Sequence, residues 1–269
     1  MTSIDSSENL GYYSIFKKTK LQRVSDGVEE YIFSDCITEK RLLVIVWPQL
    51  GDFDSLEYAW WLQKESKLLT DKGIKIRAVG IGNRSSGEKF CDYTGFPAVD
   101  LFVDPEAKLH SSLNLYGGLS LKIPGLSPTQ NAWVNLMLMC AGIGSPGTLN
   151  EVLRGYKGDR QAPQLIQDEE IIHAKPLPPI RGSFFAKAGG KGFQRPLELA
   201  TLRLRNMTEV LSNWKTYVPD ASYMTQRGAT FLFDSQGELL YKYQDKGILG
   251  FAANMSHPLS FLDTIGLFE

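Results

Sequence analysis

Cysteine is scarce in this chain of 269 residues, with only three. Cys36, Cys91 and Cys140 form no CxxC pair and no spacing of zinc ligands, so neither a disulfide framework nor a structural metal is implied. Such thiol usage points to a reducing compartment. The cytoplasm is the expectation, or the plastid stroma for a plant protein freed of its transit peptide. Long apolar runs are also missing. The most apolar stretch, Ala132 to Ile143, is far shorter than the ~20 residues a membrane-spanning helix needs, so no membrane span is expected. Charge of one sign is absent as well, since 29 Lys and Arg face 30 Asp and Glu. The balance gives no electrostatic reason to expect nucleic acid as partner. The three histidines, His110, His173 and His257, are scattered and read as structural. No cofactor is implied.

What is present is a regular alternation. Leu21 to Cys36 reads as a hairpin around Ser25-Asp26-Gly27, and Leu42 to Trp47 as a buried strand. A helical pattern follows from Leu56 to Leu69, then a strand at Ile74 to Ile81. Next come a short helix to about Tyr93 with a capping-box spacing at Ser85 and Glu88, and a strand at Val99 to Val103. Asp104-Pro105 starts another short helix. After a long irregular stretch, Ala229 to Phe233 and Leu239 to Tyr243 form a second hairpin, and a helix near His257 to Ile265 closes the chain. Strands alternating with helices predict right-handed crossovers and a mainly parallel sheet. The resulting division is a tail at 1–20, a core at 21–115 and 228–269, and an insertion at 116–227. Within the insertion, Asn131 to Ala141 and Pro196 to Tyr217 read as helices packed on the core. Lys175 to Gly192 reads as a mobile Gly/Pro-rich basic loop.

The pieces KLQRVSDGVEEYIFSD, KFCDYTGF, VDLFVDPEAKLHSSLNL and QRGATFLFDSQGELLY resemble the peroxiredoxin-like 2 group of alkyl-hydroperoxide-reductase/thiol-specific-antioxidant proteins, including its plastid and cyanobacterial members. The resemblance implies an α/β, thioredoxin-like sandwich of the peroxiredoxin type with a long, partly helical insertion. In such proteins the first core strand often ends in a C-P-F-C turn, where helix N–H groups stabilise a thiolate. Here the matching residues are Gly51, Asp52, Phe53 and Asp54. The phenylalanine matches and both cysteine positions are replaced.

A carboxylate at a helix start is a good cap, and it can neither be oxidised nor exchange disulfides. Asp52 and Asp54 therefore read as helix caps, with a metal or acid–base role as the alternative. Trp47, Trp60 and Phe53 read as structural core. Cys91 and Cys140 read as buried packing residues; surviving thiol chemistry would fall to Cys91 or Cys36 from an unusual position. Gly80-Ile81-Gly82 followed by Asp104 imitates a dinucleotide fingerprint but lacks its third glycine, and reads better as a capped turn. Arg181, Lys187 and Lys191 belong to a basic stretch, continued by Arg195, Arg203 and Arg205, whose only opposing charge in sequence is Glu198. They are the candidates for contact with an acidic protein partner. The expected function is a non-catalytic binding, assembly or regulatory factor with a degenerate active-site turn. The alternative is an atypical thiol oxidoreductase or peroxidase.

Overall fold

A computed structural model describes residues 6–34, 36 and 41–264. Helix α1 (Ser6–Lys18) precedes the hairpin β1 (Lys20–Arg23) and β2 (Glu29–Tyr31). The core continues through β3 (Arg41–Gln49), α2 (Phe53–Lys64), α3 (Ser66–Asp71), β4 (Ile74–Ile81), α4 (Arg84–Thr94), β5 (Leu101–Val103) and α5 (Lys108–Ser112). Residues 116–227 carry α6 (Pro128–Cys140), α7 (Thr148–Lys157), a small hairpin of β6 (Ile171–Ile172) and β7 (Ile180–Arg181), α8 (Ser183–Gly189), α9 (Glu198–Ser212) and α10 (Trp214–Tyr217). The chain then forms β8 (Ala229–Phe233), β9 (Leu239–Gln244) and α11 (Phe261–Thr264). The expected closing helix thus begins at Phe261 and not near His257, and Ile265 lies outside the described residues.

One seven-stranded sheet, in the order β2-β1-β5-β4-β3-β8-β9, organises the molecule. The β3, β4 and β5 strands run parallel, flanked by an antiparallel hairpin on either edge. The run LLVIVW shows why the core is layered. Its side chains alternate, sending Leu43, Ile45 and Trp47 to one face and Leu42, Val44 and Val46 to the other. The first face is covered by α2 and α4, with Trp47 packed on Phe90 at 4.9 Å and on Phe96 at 5.0 Å between ring centroids.

The second face is covered partly by α1, a helix in the stretch that sequence reading treats as a tail. Tyr12, Tyr13 and Phe16 lie on one helical face and pack on Phe231 and Phe233, with the Phe16 and Phe231 rings 5.1 Å apart. The polar first ten residues hide that stripe, which begins only at Tyr12. A second correction concerns α4, whose cap is Asn83 and not Ser85. The Asn83 side chain accepts from the Ser86 amide at 2.9 Å, and Ser86 Oγ accepts from the Asn83 amide.

The two ends of the insertion are tied together. The Arg227 amide donates to the Tyr116 carbonyl at 2.9 Å, and Thr225 Oγ1 donates to the Gly117 carbonyl at 2.9 Å. The segment expected as a mobile loop contains β7 and α8 and buries Phe185, because its aromatic pair supplies apolar surface that a solvated loop would leave wet. Its basic neighbours are also paired differently from the sequence reading. Arg195 is fully buried between Glu198 at 2.8 Å and Asp168 at 2.7 Å, and Arg203 bridges Glu57 at 2.7 Å and Glu151 at 3.1 Å.

Trp47 is buried, whereas Trp60 is only half-buried and Trp61 takes the inner position beside it. Trp47→Ala is therefore expected to cost about 3–5 kcal/mol, and Trp60→Ala clearly less. In thermal unfolding each lost kcal/mol lowers the midpoint of a domain this size by about 2–4 °C, so the two variants should separate. Equal midpoints would contradict this packing.

Candidate functional site

The turn between β3 and α2 is where the sequence pattern places the reactive thiol. Gly51 offers no room for one. A Cβ built there would lie 2.8 Å from Tyr217 Cβ and 3.0 Å from Val218 Cγ2, so the end of α10 occupies the space a side chain would need. Asp52 caps α2 as expected, its Oδ1 accepting from the Asp54 amide at 2.9 Å.

Asp54 does not cap; it is fully buried. Its Oδ1 accepts from the Leu249 amide at 2.8 Å and its Oδ2 from the Gly250 amide at 3.4 Å. Arg227, also fully buried, closes the cluster, with Nη2 2.5 Å from Asp52 Oδ2 and Nη1 3.4 Å from Asp54 Oδ2. Asp245 approaches from the end of β9 and accepts from the Gly228 amide at 3.2 Å. Arg227 is thus the cation shared by Asp52 and Asp54, and its charge also acts on Asp245. Burial, then the Asp52 charge, holds Asp54 well above the ordinary carboxylate range. Burial pushes Asp245 up to about 7, with Arg227 opposing. The carboxylates of Asp52 and Asp54 face a guanidinium and backbone amides.

Sequence reasoning missed Arg227 and Asp245 because they lie more than 170 residues from the turn. The only signal available was an arginine one glycine ahead of a buried strand. The three cysteines are not brought together. Cys36 packs against the cluster on the α1 face, Cys91 against the opposite face and Cys140 beside the small cluster of Met139, Ile248 and Leu249. All three are half-buried. Cys140 is therefore more open than the apolar character of its helix predicts, since only Asn135 and Met139 of α6 are buried. Burial and then Asp92 push the Cys91 thiol up to about 12, and burial followed by the Asp52 charge raises Cys140.

The remaining sequence candidates separate as follows. Arg181 and Lys187 are exposed, while Lys191 is held by Asp168 at 2.7 Å. The glycine turn at Gly80 and Gly82 is filled by the Leu50 side chain and Ser86, and Asp104 accepts from the Leu109 amide at 2.8 Å, so neither faces an open phosphate or ribose site. His110 is buried with Nε2 2.8 Å from the Trp47 carbonyl oxygen, His173 is exposed, and His257 Nε2 lies 2.5 Å from the Gln161 carbonyl oxygen.

Next to the turn lies a cavity of about 530 Å³. Phe53, the one residue retained from the expected motif, lines it together with Cys140, Ile248, Leu249 and residues of α7, α8 and α9. Phe53 is therefore a wall residue and not closed core.

A parallel three-stranded centre with flanking hairpins and helices on both faces is a thioredoxin-like arrangement of the peroxiredoxin type. A family profile described as AhpC/TSA antioxidant enzyme matches residues 61–247, more than half of the chain. The chain belongs to that family. Among solved structures it is similar to Xanthomonas campestris bacterioferritin comigratory protein, from a study of that protein's alkyl peroxide reduction activity. The identity is 10%, covering 94% of this chain and 93% of that one, with a TM-score of 0.43. It is also similar to Xanthomonas campestris peroxiredoxin Q, with 11% identity, coverage of 95% and 94%, and a TM-score of 0.40. No curated protein matches the chain. No helix among the described residues is long and apolar enough to cross a membrane.

Two outcomes test the cluster. Arg227→Met leaves buried acids without their cation and should cost about 3–5 kcal/mol in urea unfolding. The second is pH dependence. Asp245 titrates near 3.9 when unfolded and at about 7 when folded, so the folded state holds the extra proton between those values. The contribution of Asp245 to stability is then fully present below the unfolded value and is lost as pH rises from about 4 to about 7. The slope between pH 5 and 7 should be smaller in Asp245→Asn; an unchanged slope would remove Asp245 as its source.

Proposed function

We propose that this chain is a thioredoxin-fold binding factor that does not carry out thiol peroxidase chemistry. The observation that carries this reading is the filled side-chain space at Gly51: Tyr217 and Val218 stand where a reactive thiol would have to be. Two further features support it. The second cysteine position holds Asp54, bound to Arg227 and two amides. The Cys91 and Cys140 thiols are shifted upward, away from the thiolate that attacks a peroxide.

The surface left for binding is the insertion, with the cavity beside Phe53 and the exposed cations Arg181 and Lys187. Three cysteines set apart from one another suit a reducing compartment.

The test is hydroperoxide consumption with thioredoxin or glutathione as donor. Wild type, the Cys36→Ser/Cys91→Ser/Cys140→Ser variant and Gly51→Cys should all match the uncatalysed rate, and Gly51→Cys should also unfold at lower temperature. Rapid turnover by wild type that a single Cys→Ser change abolishes would establish the thiol-enzyme reading instead.

A further inference from the structure

Gln49 ends β3 just after an irregularity in its pairing with β4, where Pro48 has no N–H to give the ladder. Its backbone is fixed against the start of α2, since the Gln49 carbonyl accepts from the Asp52 amide at 2.8 Å and from Ser55 Oγ at 3.0 Å. Its side chain reaches the insertion, where Nε2 donates to the Asp220 carbonyl. That bond sets the orientation of the amide, because the flipped form would bring two oxygens together. The remaining atom, Oε1, is buried and has no hydrogen-bond partner among the described residues. An amide oxygen enclosed in this way has lost its water without replacement, a cost that a ligand carrying an N–H or O–H donor would remove.

Gln49 lines a second cavity, of about 50 Å³, between the turn, α6 and α10. One water takes about 10–15 Å³ on this measure, so the space suits about three to five non-hydrogen atoms. Leu136, Val218, Met224 and Ile248 form its apolar wall. Phe53 and Trp214 add aromatic surface, and Trp214 is held in place by stacking on Trp133 with ring centroids 4.8 Å apart. Beside the Gln49 amide, the polar lining consists of the Asp52 carboxylate and the Cys140 thiol.

Asp52 sets the sign of the charge that an occupant meets. It lines the cavity, whereas its partner Arg227 is fully buried and is not part of the lining. Cys140, also in the wall, senses the same order: after burial, the Asp52 charge raises its thiol more than the Arg227 charge lowers it. The local field therefore favours a cation. A carboxylate or phosphate would meet a carboxylate and an amide oxygen. A neutral hydroxyl would satisfy Gln49 with no gain from Asp52. A short alkyl stem ending in an ammonium complements both parts of the lining.

We propose that this cavity binds a short primary alkylammonium group, its N–H donors on Gln49 Oε1 and the Asp52 carboxylate and its methylenes against Leu136, Val218 and Ile248. A small free amine and the end of a lysine side chain on a protein partner share this chemistry. The proposal rests on the reading of the chain as a binding factor and names its ligand class. No covalent step is involved. The bonds to the ammonium are charge-assisted, and the stem displaces water from the apolar wall.

The experiment is an NMR titration of the isotope-labelled full chain with propylammonium chloride, matched in ionic strength by sodium chloride. Expected are saturable shifts of the Gln49 side-chain amide and Trp214 indole signals that fit one site. Propanol, which lacks the charge, and tetramethylammonium, which lacks the N–H donors, should bind about tenfold more weakly or worse. Gln49→Met removes the acceptor and should weaken propylammonium about tenfold, read on the Trp214 signal. Cys140→Phe, at a half-buried helix position, fills the cavity and should abolish binding; with the two control ligands it carries the test if Gln49→Met does not fold. A lysine blocked as its N-acetyl methylamide separates the sources. Binding as tight as propylammonium assigns the site to a partner's lysine side chain, and weaker binding assigns it to a free amine. Overturning results are no saturable shift, equal binding of propanol or tetramethylammonium, or unchanged affinity in folded Gln49→Met or Cys140→Phe. Peroxide turnover is measured without amine, so failure here is distinguishable from failure of the binding-factor reading.

Discussion

The shared cation Arg227 is the point on which the architecture around the turn depends. Its backbone amide ties the end of the insertion to Tyr116, and its guanidinium reaches Asp52 and Asp54 at the start of α2. Asp54 in turn accepts from Leu249 and Gly250, beyond β9. Three segments remote in sequence thus meet around one buried charge. Moving a guanidinium and its acids out of water is costly, and the cost is offset only where geometry and added hydrogen bonds are good. Here the amides of Leu249, Gly250 and Gly228 supply those extra bonds, and Asp245 remains the least compensated member.

The same electrostatics explain why a carboxylate can occupy the site of a thiolate. The N-terminus of α2 favours any anion. A thiolate there must remain accessible and weakly held to act as a nucleophile. A carboxylate has no such requirement, so it can be enclosed, paired and used as a fixed joint. Asp54, fully buried and bonded to Arg227, acts here as such a joint.

Most of the core was legible in sequence because its elements obey local rules. LLVIVW had to be a buried strand, the Gly27 and Gly237 turns defined hairpins, and the helical periods of Leu56 to Leu69 and Pro196 to Tyr217 marked helical segments, each of which the structure breaks in two, at Glu65 and at Asn213. What was not legible depended on long-range pairing. Nothing near Gly51 announces that Tyr217 will fill its side-chain space, and nothing near Asp54 points to Arg227. The basic stretch was misread for the same reason: in sequence it has one acid, whereas in space Asp168, Glu57 and Glu151 neutralise much of it. The cations that remain unpaired, Arg181 and Lys187 among them, could be separated from Lys191 and Arg195 only once the acids were placed.

Phe53 joins the turn to the cavity. In the expected motif an aromatic at this position sits between two cysteines; here it opens α2 and faces the hollow between α7, α8 and α9. The insertion that closes the space at Gly51 through Tyr217 and Val218 also supplies the helices that enclose this hollow. The two effects are coupled by packing. Restoring room for a thiol at position 51 means displacing α10, and α10 is continuous through Asn213 with α9, which forms the cavity wall. The turn and the enclosed apolar volume therefore draw on the same helices, with Tyr217 and Val218 buried where the two meet.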